Sequence, residues 1–474
     1  MKLSSLANAG RTPPLPLTVE LAGEPVVVDT WLRTLPGQRY VGRAMWRGQP
    51  VLAKLLVGGK ALRHHAREAQ GAAWLAASGL ATPKLLAQGT QENSAWLLFE
   101  FLSAQSLGDL WSAVADEPAL SDAQQAVLAK ALESIAKLHA KGLWQDDLHL
   151  DNLLEVDGHI HWIDGGAIGA ETIGQPLSRE QVLKNLGVFF AQLPVTLEPF
   201  IEELLIFYIM ENSAHALPLE ALLKHIQRAR QWRLNDYLKK VGRDCSLFSA
   251  KESPFGLKVC ARQDQTRLAS VLASPDHFVA VGELCKNGNT ATVAKFELDS
   301  KPLVIKRYNI KNLAHWLSRF WRPSRAFHSW VEGHRLMQLG IATAKPLAII
   351  EQRFWGFRAK AWLVNEALEG PSALSKWSNA DELPDETEIN ALVLLFEQLI
   401  NARISHGDLK GTNLFWDGKR WVLIDLDSMQ QHSGFTSFKR AYQKDRDRFL
   451  RNWPKNSQLY QHLDQLLPVL SDDL

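Results

Sequence analysis

Two stretches of this chain carry the same three polar residues at the same separations, and that repetition limits what it can fold into. Near the C-terminus, Ile404-Ser405-His406-Gly407-Asp408-Leu409-Lys410-Gly411-Thr412-Asn413 is followed by Leu423-Ile424-Asp425-Leu426-Asp427. Earlier, Trp144-Gln145-Asp146-Asp147-Leu148-His149-Leu150-Asp151-Asn152 is followed by Trp162-Ile163-Asp164-Gly165-Gly166. In both copies Asp to Asn is five residues and Asp to the second Asp is seventeen. One match is compatible with chance. Two with identical internal spacing indicate a tandem pair of similar units.

The 474 residues exceed what one core holds. With 46% hydrophobic and 22% charged residues the chain has an ordinary globular composition, and a net charge of +2 names no partner. Cys245, Cys260 and Cys285 show neither pairing nor metal spacing, which argues against structural disulfides and fits a reducing cytosol. The start of the chain lacks an apolar core and meets Pro13, Pro14 and Pro16, so no signal peptide is expected. The most apolar run, Pro199 to Met210, is broken by Glu202 and Glu203, so no membrane span is expected either. The 17 tryptophans often stand beside Arg or Lys. Packing with snorkelling cations explains this, and contact with sugars or an anionic membrane surface is the alternative.

Between the two motifs the order of elements repeats. Residues 1–24 read as an irregular, Pro-rich arm. Val26 to Leu56 reads as three antiparallel strands with turns at Pro36-Gly37 and Arg47-Gly48, the last strand containing Lys54. A helix over His64–Ala77 carries Glu68, Ala95–Phe101 reads as a buried strand, and Gln124–Lys141 as an amphipathic helix entering the first motif. Past Asp164 the chain reads as mostly helical to about Leu238. Periodicity then fades, giving units of 25–245 and 276–474 with a linker over 246–275. In the second unit Phe278–Val281, Thr292–Phe296 and Leu303–Lys306 read as strands, a helix ends at Gly340, Ala361–Glu366 is a buried strand, and Glu386–Ala402 is the helix before the second motif.

An Asp, an Asn five residues on and a second Asp after a short hairpin are the chemical core of a kinase catalytic loop. Transfer of a γ-phosphoryl group needs positioning and charge neutralisation more than covalent chemistry. Asp408 is placed to accept the proton of the attacking hydroxyl. Asn413 and Asp425 offer hard oxygen ligands for Mg²⁺, Lys306 would hold the α/β-phosphates of ATP, and His406 would brace the loop. The first unit's set is Lys54, Glu68, Asp147, Asn152 and Asp164, with Glu68 placed to orient Lys54. Gln145 stands where the bracing histidine would be. The expected fold is α+β: two tandem protein-kinase-like domains, each a small antiparallel-sheet N-lobe and a mostly helical C-lobe.

The second half resembles the bacterial lipopolysaccharide core heptose kinases, the Kdo/WaaP family. The resemblance rests on Val304-Ile305-Lys306-Arg307-Tyr308, Arg322-Pro323-Ser324-Arg325-Ala326, the block from Leu339 to Ala348, the His406–Lys410 loop, Ile424–Asp427 and Asp445–Trp453. The first half is similar more loosely, through its catalytic loop and Trp232–Lys240. The resemblance implies ATP-dependent phosphorylation of a sugar hydroxyl, a heptose of the inner core, with Mg²⁺. It also implies a peripheral place on the cytoplasmic face of the inner membrane. The family's helix glutamate falls at Ser329, and Glu332, one turn onward, is the candidate substitute beside Lys306. A basic and aromatic segment from Lys311 to Trp330, if helical, suits an anionic membrane surface or phosphorylated sugars; a structural helix against the N-lobe with a solvated cationic side is the alternative. Nothing resembles a nucleic-acid module. Two rivals remain: a pseudokinase scaffold for core-assembly enzymes, and a kinase of another small hydroxyl substrate.

Overall fold

The computed structural model describes residues 1–309, 324–355 and 357–470. Helices and antiparallel sheets are mixed, and the contacts divide the chain into Met1–Arg233 and Leu234–Leu474.

The first unit begins with a six-stranded sheet. Its strands in spatial order are Leu17–Leu21, Glu24–Leu35, Arg39–Trp46, Gln49–Leu56, Ser94–Glu100 and Leu85–Gln91. The edge strand Leu17–Leu21 falls within the stretch read as an arm. Leu17, Val19 and Leu21 point inward while Thr18 and Glu20 face out, the alternation that buries one face of a strand. Lys54 sits mid-sheet, opposite Val41 on one side and Leu97 on the other. Helix Ala61–Ala77 packs Glu68, Gly71, Ala72 and Leu75 inward, one stripe at helical spacing. The helical part centres on Asp122–Ala140, capped by the Ser121 hydroxyl, which accepts from Gln124 N. Leu128, Leu132 and Ile135 of that helix pack with Phe189, Leu204 and Tyr208.

The second unit contains a seven-stranded sheet. Its order is Phe248–Ser253, Gly256–Ala261, Pro346–Phe354, Phe357–Glu366, Lys301–Tyr308, Ala291–Leu298 and Glu283–Asn287. The first two strands, a hairpin paired onto Pro346–Phe354, lie in the stretch read as a linker. Lys306 repeats the placement of Lys54, mid-sheet between Val293 and Leu363. Phe278–Val281, read as a strand, belongs instead to helix Pro275–Val281. Proline opens the helix, where its missing N–H costs nothing, and Val279 is buried against Ala294 and Phe296. Helix Glu386–Ala402 has the bounds read from the sequence, and its Leu392, Phe396 and Leu399 pack with Phe438, Tyr442 and Phe449. Of the basic and aromatic segment, residues 310–323 lie outside the described residues; Arg325 to Trp330 begin helix Arg325–Gln338.

His139 in the first unit and His334 in the second are buried and neutral. His139 Nε2–H donates to Asn185 Oδ1 at 2.9 Å while Nδ1 accepts from Tyr208 at 3.0 Å. His334 Nδ1 meets the Tyr237 hydroxyl at 2.9 Å. Burial pushes both imidazoles down to about 4. An unfolded chain takes up these protons near pH 6.5 and the folded one does not until about pH 4. Stability is therefore full above pH 6.5 and declines as pH falls through that window. Between pH 7 and pH 5 the expected loss is about 2 kcal/mol per histidine. That corresponds to a melting temperature roughly 4–8 °C lower for a unit of this size. Equal melting temperatures at pH 5 and pH 7 would contradict it.

Candidate active sites

In each unit a strand lysine, a loop Asp, an Asn and a second Asp converge, and the same backbone bonds hold them. Asn413 and Asn152 each end a 3₁₀ turn, Gly411–Asn413 and Leu150–Asn152. The Asn413 amide donates to the Asp408 carbonyl at 2.9 Å, and Asn152 donates to the Asp147 carbonyl at 2.8 Å. Ile424 N–H donates to Asn413 O and Ile163 N–H to Asn152 O, both at 3.0 Å. The hairpin after each Asn thus returns the chain to the loop, which is why the seventeen-residue step brings the second Asp to the same place in both copies. Asp425 and Asp164 both stand in left-handed backbone, φ 62° and 65°. Non-glycine residues adopt that conformation uncommonly, and it tends to mark functional loops.

The bracing residue differs in kind but not in bond. His406 Nε2–H donates to the Ile424 carbonyl at 2.9 Å, and Gln145 Nε2–H donates to the Ile163 carbonyl at 2.9 Å. A primary amide reaches the carbonyl an imidazole would, so glutamine keeps this loop geometry. The outer supports do differ. In the second unit the buried Asp445 carboxylate accepts from His406 N at 2.6 Å and from Gly407 N at 3.0 Å. In the first, Asn185 donates to the Gln145 carbonyl at 2.7 Å.

The lysines are both ion-paired. In the first unit Lys54 Nζ lies 2.6 Å from Glu68 Oε2 and 3.7 Å from Asp164, as expected of a lysine–glutamate pair. Burial raises the Glu68 carboxyl, and the Lys54 ammonium opposes that rise. Burial would raise Asp164 too, but Lys54 overrides it and holds Asp164 below the usual carboxylate range. Arg39, on the strand after the Pro36-Gly37 turn, approaches Glu68 at 3.9 Å. A cavity of about 210 Å³ is lined by Arg39, His64, Arg67, Glu68, Asp146 and Asp164.

In the second unit Lys306 Nζ is 2.5 Å from Asp425 and 2.9 Å from Asp427. Burial works against its charge, and Tyr308, Asp427 and Asp425 more than offset that, raising the ammonium above its ordinary value. Asp425 is likewise held low by Lys306 against the effect of burial. The expectation that Glu332 partners Lys306 is corrected here. Its carboxylate is bound by Arg335 at 2.8 Å, one turn along the same helix, and Asp427 occupies the place beside the lysine. Sequence reasoning passed over Asp427, although an Asp two residues after Asp425, where the first copy has Gly166, was a visible signal.

The two loop aspartates face cations. Asp408 forms an ion pair with Arg448, on helix Phe435–Leu450, and stands 3.3 Å from Lys410. Arg233 is half-buried; desolvation lowers its guanidinium and the Asp147 charge opposes that. Among the described residues no helix is long and apolar enough to cross a membrane. Three or more His, Cys, Asp or Glu side chains do not converge on a metal-sized space there either.

Residues 279–466 match the lipopolysaccharide kinase (Kdo/WaaP) family model, a family of kinases, in keeping with the resemblance and the enzyme class read from the motifs. No curated protein matches the chain. Among solved structures, WaaP in complex with acyl carrier protein is similar at 16% identity, covering 44% of this chain and 88% of that one with a TM-score of 0.32. WbdD crystallised with a kinase inhibitor is similar at 20% identity, covering 45% and 48%, with a TM-score of 0.30.

Proposed function

We propose that the chain is a tandem kinase whose second unit transfers the γ-phosphoryl group of ATP to a sugar hydroxyl, a heptose of the lipopolysaccharide inner core. The family match over residues 279–466 supports the lipopolysaccharide kinase class. The observation that carries the reading is the convergence of Lys306, Asp425, Asn413 and Asp408, the residue types phosphoryl transfer requires.

Asp408 accepts the proton of the attacking hydroxyl, its backbone fixed by Asn413. Asn413 and Asp425 fit a hard divalent cation: the Asn413 nitrogen is engaged by the loop, which presents its oxygen, and Asp425 stays ionised beside Lys306. Mg²⁺, when bound, neutralises phosphate charge. Lys306 turns from Asp425 to the α/β-phosphates as a point charge. Arg448 and Lys410 leave Asp408 flanked by positive charge, a setting suited to an anionic acceptor such as a phosphorylated or acidic core sugar. Because that acceptor is a membrane lipid, the protein works as a peripheral enzyme on the cytoplasmic face of the inner membrane. The first unit retains Lys54, Glu68, Asn152, Asp164 and Asp147, and Gln145 supplies its missing brace, so it is read as a second nucleotide site rather than a scaffold.

The test is a melt of the full chain with Mg-ATP. At a hundred times its Kd a ligand stabilises its unit by about 2.7 kcal/mol, a rise of roughly 5–11 °C for a unit of this size. Asp425→Ala is expected to abolish the second unit's rise and Asp164→Ala the first's. A wild-type chain that melts identically with and without Mg-ATP would overturn the proposal.

A further inference from the structure

The two units place a carboxylate behind the strand lysine from opposite directions. In the first, Glu68 comes from helix Ala61–Ala77 and lies 2.6 Å from Lys54. Two residues past Asp164 stands Gly166, and a Cβ there would sit 3.0 Å from Glu68 Oε1. In the second unit the helix position is Ser329, eleven residues before Gly340 as Glu68 is eleven before Gly79. Two residues past Asp425 stands Asp427, with Oδ2 at 2.9 Å from Lys306 Nζ. Ser329 donates to Asp427 Oδ1 at 2.7 Å, and Tyr308 donates to the same oxygen at 2.6 Å. Arg325 approaches Oδ2 at 3.8 Å. One unit thus pairs a helix carboxylate with a loop glycine, and the other a loop carboxylate with a small helix residue.

We infer that Asp427 is the positioning carboxylate of Lys306, taking over the function that Glu68 serves for Lys54, and that Ser329 and Tyr308 fix its orientation. A lysine that must meet phosphates gains from a carboxylate that is itself held rigid, because the ammonium is then aimed before the nucleotide arrives. Asp427 meets that condition: Tyr308 and Ser329 hold one oxygen and Arg325 flanks the other, all from the strand and helix beside it. Glu332 is unavailable because Arg335 binds both its oxygens, at 2.8 and 3.3 Å. The consequence is a difference in control. Displacing the helix would uncouple Lys54 from its carboxylate, whereas the Lys306 pair depends on the loop that also carries Asp425.

This inference rests on the phosphoryl-transfer reading of the second unit, and the experiment separates the two. The parent is the full chain carrying Lys54→Met, titrated calorimetrically with Mg-ATP and with adenosine. Asp427→Asn is expected to weaken Mg-ATP binding at least tenfold while leaving adenosine, which has no phosphate for Lys306 to meet, unchanged. Asp427→Gly should do the same, and Asp427→Gly with Ser329→Glu, which rebuilds the first unit's arrangement, should recover Mg-ATP affinity to within about threefold of the parent. Unchanged Mg-ATP affinity in Asp427→Asn overturns the inference. Equal losses for adenosine and Mg-ATP also overturn it, since they mark a merely structural residue, as does a double variant no better than Asp427→Gly. A parent that binds no Mg-ATP removes the phosphoryl-transfer reading itself, and the inference with it.

Discussion

Asp408→Asn is expected to slow phosphoryl transfer by about 10²–10⁴-fold, the range associated with a positioned proton acceptor. The amide is nearly isosteric, and the bond from Asn413 goes to the backbone carbonyl of residue 408, so the loop should keep its shape. What is lost is the oxygen that takes the hydroxyl proton, together with the charge facing Arg448 and Lys410. The signature is therefore a fall in kcat with Mg-ATP affinity preserved, measured by initial rates alongside nucleotide titration. Loss of affinity with kcat intact would assign Asp408 to binding instead. Asp147→Asn, made separately, reports on the first unit by the same readout.

The second large effect is expected at Asp445, outside the motif itself. Its carboxylate is 5% exposed and accepts from the backbone N–H groups of His406 and Gly407. Asp445→Ala leaves the buried His406 N–H without a partner, at a cost of about 1–3 kcal/mol, while the Gly407 N–H, in an exposed residue, loses its acceptor but can turn to water. Removing a buried charge returns part of that, since burial raises this carboxyl above its usual range. The net expectation is a loss of about 1–3 kcal/mol, with melting lowered by about 2–4 °C for each kcal/mol. Gly407 makes the site unforgiving: its φ is +79°, and a Cβ there would lie 2.5 Å from the Ser428 carbonyl. Asp445→Asn, which keeps one accepting oxygen, should fall between. A denaturation curve for Asp445→Ala that overlays wild type would refute this account of the loop.

The repeated spacing made the two Asp–Asn loops legible because the return of the hairpin to the Asn is a backbone property, identical in both copies. Lys54 and Glu68 were legible for a related reason: a strand and the helix after it set their separation. Function-bearing contacts between distant segments were not. Asp445 lies thirty-seven residues beyond Asp408, and although the block Asp445–Trp453 carries part of the resemblance, nothing in it marks Asp445 as the support of the His406 loop. Gln145 read as a departure because its residue type differs from histidine, although its amide makes the same bond. Asp427 could have been found by comparing the copies position by position, since a glutamate lost at Ser329 accompanies an aspartate gained where Gly166 stands. Elsewhere, short apolar runs misled. Four apolar residues do not separate helix from strand, and at Phe278–Val281 the proline ahead of them decides for helix. The strand Leu17–Leu21 shows clear alternation, which the neighbouring prolines obscured.

The most direct measurement of the central claim is the phosphate content of the core oligosaccharide in cells expressing the wild-type chain, Asp408→Ala, Asp147→Ala or the double variant. The account predicts that Asp408→Ala loses the phosphate that the wild type installs, with the protein still folded and still binding Mg-ATP. Unchanged phosphate in both single variants and in the double variant would contradict it.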